Sequence, residues 1–98
     1  MEINKELNGT ELTLKLEGQL DTLTAPELGK VIDESIEGLT LIRFDMSNLK
    51  YLSSAGLRVL MNTQKKMNEQ GSMKVVGANE TIMEVFDMTG LCDVFDIE

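Results

Sequence analysis

The stretch that decides the fold is DMSNLKYLSSAGL, residues 45–57. It begins at the end of an apolar segment, residues 39–46, which is too short for a typical helix and is predicted to be a central strand. A short loop is expected next, and helical spacing begins just after the pair Ser53 and Ser54. A serine at a helix start either caps the first free backbone N–H groups or is a target for a kinase. The choice between these interpretations decides the function.

Composition limits the classes of function. The chain has 98 residues, 42% of them hydrophobic, which suits one small folded domain over residues 1–98. Its formal net charge of −8 disfavours nucleic acid and anionic membrane as partners, because both need a positive surface, and favours a protein partner. The single Cys92 allows no internal disulfide. Since neither a signal peptide nor a transmembrane segment is indicated, a reducing cytoplasm is the expected compartment.

Three further strands are predicted around the central one. Apolar and polar residues alternate over residues 12–16, which is the period of a strand with one buried face. Asn8-Gly9 is a hairpin turn signal and places a weaker strand over residues 3–7. Gly18 is expected to end the second strand. Residues 73–77 form another short strand late in the chain.

Three helices are predicted between and after the strands. The first covers about residues 25–37, with Thr24 as its N-cap and Glu27 completing a capping box. The second covers about residues 55–70, and the third lies within residues 79–90, whose first and last residues are its cap and its stop. One face of the second helix is expected to be buried: Leu57, Leu60, Met61, Gln64 and Met67. The order β-β-α-β-α-β-α predicts an α/β fold with right-handed crossovers on a small mixed sheet of four or five strands.

The residues that most enzymes need are missing. The chain has no histidine, which removes the commonest general base and excludes Ser-His and Cys-His pairs. Neither a phosphate-binding loop nor a dinucleotide fingerprint occurs, and the aspartates match no calcium loop. Cys92 is expected to be a partly buried, inert thiol. We therefore assign no catalytic residue, no metal ligand and no cofactor.

Ser53 and Ser54 keep both interpretations open at this point. A helix N-terminus offers unpaired N–H groups and a positive dipole end, so the fold tolerates a phosphate there. That phosphate adds about −1.5 to −2 charges to the surface, which would switch partner binding without unfolding the domain. Gly56 is expected to leave room for another backbone or a nucleotide phosphate.

Three segments resemble the STAS-domain anti-anti-sigma factors, the anti-sigma factor antagonists of bacteria. Residues 18–25 (GQLDTLTA) are similar to the family's segment after the second strand, and residues 44–57 to its hallmark segment. Residues 85–91 (VFDMTGL) are similar to the end of its third helix. The segments follow in order, at family-like spacing, over nearly the whole chain. One position departs from the pattern: Ser53 stands where the family usually has Asp.

The resemblance implies a non-enzymatic switch. Family members bind an anti-sigma factor that is also a serine kinase, and so free the sigma factor. The kinase phosphorylates the serine at the start of the second helix, the phosphorylated form dissociates, and a PP2C-type phosphatase restores the active form. By alignment the phosphoacceptor is Ser54, with Ser53 as the runner-up, and Asp21 matches an aspartate that contacts the partner.

A contact surface and two alternatives complete the expectations. The expected partner-binding residues are Asp21, Thr22, Thr24, Ser53, Ser54, Ala55, Gly56, Leu57 and Arg58. The loop after the second strand should lie beside Ser54, because both stand at the same end of neighbouring strands. The free protein is expected to be a monomer. The alternatives are a STAS adaptor or regulatory subunit in a transporter or stressosome-like complex, and a nucleotide-sensing STAS domain.

Overall fold

The computed structural model describes residues 1–98 and contains a five-stranded mixed sheet with three helices. The strands, in spatial order, are β1 (Glu2–Asn8), β2 (Glu11–Leu20), β3 (Leu41–Leu52), β4 (Ser72–Val76) and β5 (Asp96–Ile97). The helices are α1 (Ala25–Ser35), α2 (Ser54–Gln70) and α3 (Glu80–Thr89), and a 3-10 turn (Leu91–Asp93) follows α3. β1 is antiparallel to β2, and the other neighbours are parallel. The predicted α/β fold is confirmed.

One face of the sheet is apolar, because alternate residues of the central strands point to it. These buried residues are Leu12, Leu14, Leu16, Ile42, Phe44, Met46, Met73 and Val75. Right-handed crossovers between strands laid down in sequence order place all the helices on this one face. The helices cover it with Leu28, Ile32, Leu60, Ile82 and Phe86, within one cluster of 22 buried side chains. A continuous core therefore holds the helices in fixed positions over the strands.

β3 is longer than predicted, and the loop expected after residue 46 is wrong. The strand continues through residues 47–52. Its pairing with β2 slips by one residue twice, opposite residues 15–17 and 18–19 of β2. Each slip leaves one extra residue on β3, a β-bulge, which interrupts the period-two pattern on which the prediction depended. Gly18 does not end β2; it lies inside the strand with φ of +103°, a left-handed conformation that favours glycine.

Thr24 is the N-cap residue of α1, as predicted, but the predicted capping box is not formed. Thr24 has φ −95° and ψ −20°, so its backbone is already helical and its side chain makes no capping bond. Its hydroxyl donates instead to the carbonyl of Gln19 at 2.8 Å. The helix ends at Ser35, two residues before the predicted end. The turn is organised by Asp21, whose carbonyl accepts from the Ala25 N–H at 2.8 Å.

The remaining helix predictions are largely confirmed. Asn79 caps α3 by accepting from the Ile82 N–H at 2.9 Å, and Gly90 ends it with φ of +74°. Four of the five residues predicted on the inner face of α2 are buried, but Met61 is 43% exposed because it lies at the edge of that face. No helix is both long and apolar enough to cross a membrane.

Candidate functional site

The ends of β2 and β3 bring two predicted segments together. Leu20 and Leu52 are paired as the last residues of their strands. The Ser53 N–H then donates to the Leu20 carbonyl at 2.9 Å. Residues 21–24 therefore leave the sheet beside the start of α2, and the expected proximity of this loop to the serine pair is confirmed. We call the loop and the first turns of α2 the switch end of the molecule.

The two serines of the switch end have different surroundings. Ser53 is the N-cap of α2: with φ −94° and ψ 173° its backbone is extended, and its Oγ accepts from the Gly56 N–H at 3.3 Å. Ser54 is the first residue of the helix and is exposed. Its hydroxyl makes no hydrogen bond within the chain. The cap and the free hydroxyl thus belong to different residues.

Asp21 organises the neighbouring loop from within. One oxygen of its carboxylate accepts from the N–H groups of Leu23 and Thr24, both at 3.0 Å, and from the Thr24 hydroxyl at 3.2 Å. The hydrogen bond from the Thr24 N–H is the main reason that the pKa of Asp21 lies below its usual value. The bonds leave Thr22 exposed and Leu23 89% exposed at the tip of the loop. The loop therefore presents an exposed, partly apolar tip.

Gly56 does not leave the room that was expected of it. The residue is buried, and a Cβ atom there would lie 2.6 Å from Leu20 Cγ and 2.8 Å from Leu52 Cδ1. The space beside it is filled by the ends of β2 and β3. Glycine is needed at this position so that the first turn of α2 can rest directly on the strands. The neighbouring Ala55 is half-buried and packs against the core.

A groove runs from the switch end between α2 and the end of α3. Its volume is about 400 Å³, and its lining residues are Ser54, Leu57, Arg58, Met61, Thr89 and Leu91. Leu57 is only 7% exposed, so it contributes to the groove floor and is not an exposed contact residue. Arg58 is the one charged residue of the lining. Met88, next to Thr89 near the end of α3, is 87% exposed and does not line the groove.

The α3 side of the groove was missed by the sequence analysis. Residues 85–91 were noted for their resemblance to the family, but no role was given to Thr89 or Leu91. Their contribution depends on how α3 is placed against α2, which no local pattern reports. The useful signal was Gly90, since a left-handed residue turns the chain sharply and brings Leu91 back towards α2.

The structure shows no group of three or more His, Cys, Asp or Glu side chains that would hold a metal ion. Cys92 is partly buried, and its thiol donates to Asp87 Oδ1 at 2.9 Å. This hydrogen bond raises the pKa of Cys92 to about 11. The thiol is thus protonated near neutral pH, as expected of an inert cysteine.

Comparison with known proteins assigns this architecture to a family. Residues 2–98 match the model of the STAS domain. The anti-sigma-B factor antagonist of Bacillus subtilis is 31% identical over 100 residues, which cover 99% of this chain and 92% of that protein. The anti-sigma-B factor antagonist of Staphylococcus epidermidis is 33% identical over 86 residues, covering 86% and 80%. The chain belongs to the STAS domain family, among its anti-sigma factor antagonists.

Solved structures agree on the fold. An anti-sigma factor antagonist from Mycobacterium paratuberculosis superposes with a TM-score of 0.89 at 24% identity, covering 98% of this chain and 83% of that one. The phosphorylated form of the Bacillus cell fate determinant SpoIIAA gives a TM-score of 0.79 at 18% identity, covering 99% and 91%. At these identities the likeness establishes the fold alone.

Proposed function

We propose that the unphosphorylated chain binds an anti-sigma factor that is also a serine kinase, and thereby releases a sigma factor. Phosphorylation of Ser54 by that kinase ends the binding, and a PP2C-type phosphatase restores the active form. The chain itself acts by binding and catalyses no reaction. The observation that carries the proposal is the free, exposed hydroxyl of Ser54 beside a capping Ser53. The names of the curated relatives support the class of function.

The proposed contact surface is the switch end together with the groove. It includes Asp21, Thr22 and Thr24 in the loop, and Ser54 and Arg58 on α2. Ser53, Ala55, Gly56 and Leu57, which complete the sequence-based set, act mainly beneath this surface, because they cap the helix or pack against the strands. A monomer offers this surface whole to one partner.

The switch follows from charge at one position. An interface that covers Ser54 accommodates a neutral hydroxyl. A phosphate brings about −1.5 to −2 charges, and an uncompensated charge buried in an interface costs about 3–5 kcal/mol. Such a cost lowers affinity by more than about 100-fold. The fold is kept, because the phosphate stands at the positive end of the α2 dipole.

Binding to the cognate kinase tests the proposal. A pull-down from the native cell with the Ser54→Ala protein, read by mass spectrometry, supplies the partner. Calorimetry then compares Ser54→Ala with Ser54→Asp, and we expect the alanine variant to bind and the aspartate variant to lose most of its affinity. Ser72→Asp is the matched control, since Ser72 is an exposed serine at the start of β4, away from the switch end. Equal affinities of the two Ser54 variants would refute the switch.

Phosphorylation is tested separately. Incubation with the kinase and ATP should place one phosphate on the wild type and on Ser53→Ala, and none on Ser54→Ala. Phosphate found on Ser53 would reassign the acceptor. Absence of any phosphate would favour the adaptor alternative, because an adaptor has no need of modification.

A further inference from the structure

We propose that Arg58 binds the phosphate carried by phosphorylated Ser54 and so withdraws its own charge from the partner. The inference rests on the proposed function, since it concerns the modified state of Ser54. Arg58 is then more than a contact residue, because its interactions change when Ser54 is modified. In the unmodified protein the Arg58 side chain is available to the partner. In the modified protein it is bound to the phosphate on Ser54 of the same helix.

Spacing on α2 places the two residues together. Ser54 is the first helical residue and Arg58 follows four positions later. Residues so spaced stand one above the other on the same helix face, with Cβ atoms about 5–6 Å apart. Both line the groove, so both side chains project from the same part of the surface. A phosphate on Ser54 is thus within reach of the long arginine side chain.

Arg58 has no other partner in the chain. The ion pairs of the structure use three lysines, Lys15, Lys66 and Lys74. Arg58 makes neither an ion pair nor a hydrogen bond, is exposed, and is the one charged residue lining the groove. Its planar guanidinium donates two parallel hydrogen bonds to a phosphate, which a lysine cannot do. A phosphate on Ser54 can therefore pair with Arg58 without breaking any existing interaction of that side chain.

The first turn of α2 also lacks a competing anion. Glu27 stands in the first turn of α1 and Glu80 in that of α3, whereas α2 has no acidic residue there. The free N–H groups and the guanidinium both favour an anion at Ser54. Phosphorylation then changes two features of the surface at once: it adds negative charge, and it removes the positive charge of Arg58.

The test measures the phosphate itself and needs no kinase. Phosphoserine is incorporated at position 54 during translation, and the second pKa of the phosphate is followed by ³¹P NMR. The phosphate should titrate below about 6, the value of an unperturbed phosphoserine. Arg58→Gln should raise this pKa by about 0.2–0.7 units, as expected for loss of one exposed ion pair. In Arg58→Lys the second pKa of the phosphate should lie between those of the wild type and Arg58→Gln, because lysine keeps the positive charge but cannot donate two parallel hydrogen bonds.

Lys65→Gln is the matched control. Lys65 lies eleven residues after Ser54, on the same side of α2 but about 16 Å along its axis. The substitution removes the same charge, so it reports any general effect of net charge on the titration. Equal phosphate pKa values in Arg58→Gln and Lys65→Gln would refute the pairing. That result would leave the switch at Ser54 standing, whereas a failure of the kinase to modify Ser54 would remove the switch and leave the NMR result intact.

Discussion

Gly56→Ala should destabilise the protein, although alanine is the better helix former. The new Cβ would lie 2.6 Å from Leu20 Cγ, while ordinary van der Waals contact begins at 3.4 Å. To relieve the overlap, α2 or the buried Leu20 must move by roughly 0.8 Å. Such a shift is resisted, because a protein interior is packed as densely as an organic crystal. Overpacking of this kind costs about 1–3 kcal/mol, and the helix preference of alanine returns at most about 1 kcal/mol. For a cost in the middle of that range, about 2 kcal/mol, the net loss is about 1 kcal/mol or more.

Gly29→Ala is the matched control, because it makes the same chemical change inside α1. No atom lies within 4 Å of the Cβ that it would add. Only the helix preference remains, so this variant should be more stable than the wild type by about 0.5–1 kcal/mol. Urea unfolding followed by circular dichroism measures both variants. For a domain of this size, 1 kcal/mol corresponds to about 4–8 °C in the midpoint of thermal unfolding.

The stabilities of Gly56→Ala and Gly29→Ala also distinguish two possible roles of Gly56, packing against the strands and close approach of a ligand. If the residue serves packing, Gly56→Ala loses stability in the absence of any partner. If it serves the approach of a ligand, the variant gains the helix preference of alanine, as Gly29→Ala does, and loses only binding. A Gly56→Ala protein stabilised as much as Gly29→Ala would therefore refute the packing argument.

Two further predictions concern titrating groups. Hydrogen bonds from the Ser47 hydroxyl and N–H hold the pKa of Asp45 below its usual 3.8, so its ionised form adds stability above about pH 4 that is lost as pH falls through the lowered pKa. The difference in unfolding free energy between wild type and Asp45→Asn should shrink on acidification below pH 4, and a constant difference would contradict this. Cys92, with its pKa raised to about 11, should react slowly with iodoacetamide at pH 8, and Asp87→Asn should react faster; unchanged rates would remove Asp87 as the cause.

The parts of the fold that could be predicted are those set by local chemistry. The alternation of apolar and polar residues over 12–16 corresponds directly to the buried and less buried positions of β2. Asn79 caps α3 with its own side-chain oxygen. In both cases the responsible contact lies within a few residues of the signal. The hairpin between β1 and β2 was found for the same reason, although Asn8 is the last residue of β1 and the two-residue turn is Gly9-Thr10.

The parts that could not be predicted depend on contacts between distant segments. In β3 the buried residues Met46, Leu49 and Leu52 recur every third position. Neither a strand nor a helix has that period, and the bulges that explain it exist only because β2 lies alongside. In the site, the local pattern identified the serine pair at the start of α2, and the family resemblance pointed to residues 18–25, while the α3 wall of the groove depended on helix packing.

The departure at Ser53 is explained by the same local chemistry. Aspartate and serine are both good N-caps, since each offers a side-chain oxygen to a free N–H of the first turn. Ser53 makes this bond to Gly56, so the replacement keeps the cap and removes only a negative charge. The first turn of α2 is thereby left without any acidic group, and its positive end stays uncompensated in the unmodified protein. In the proposed phosphorylated state, the phosphate on Ser54 would supply an anion at this helix start, one residue after the cap.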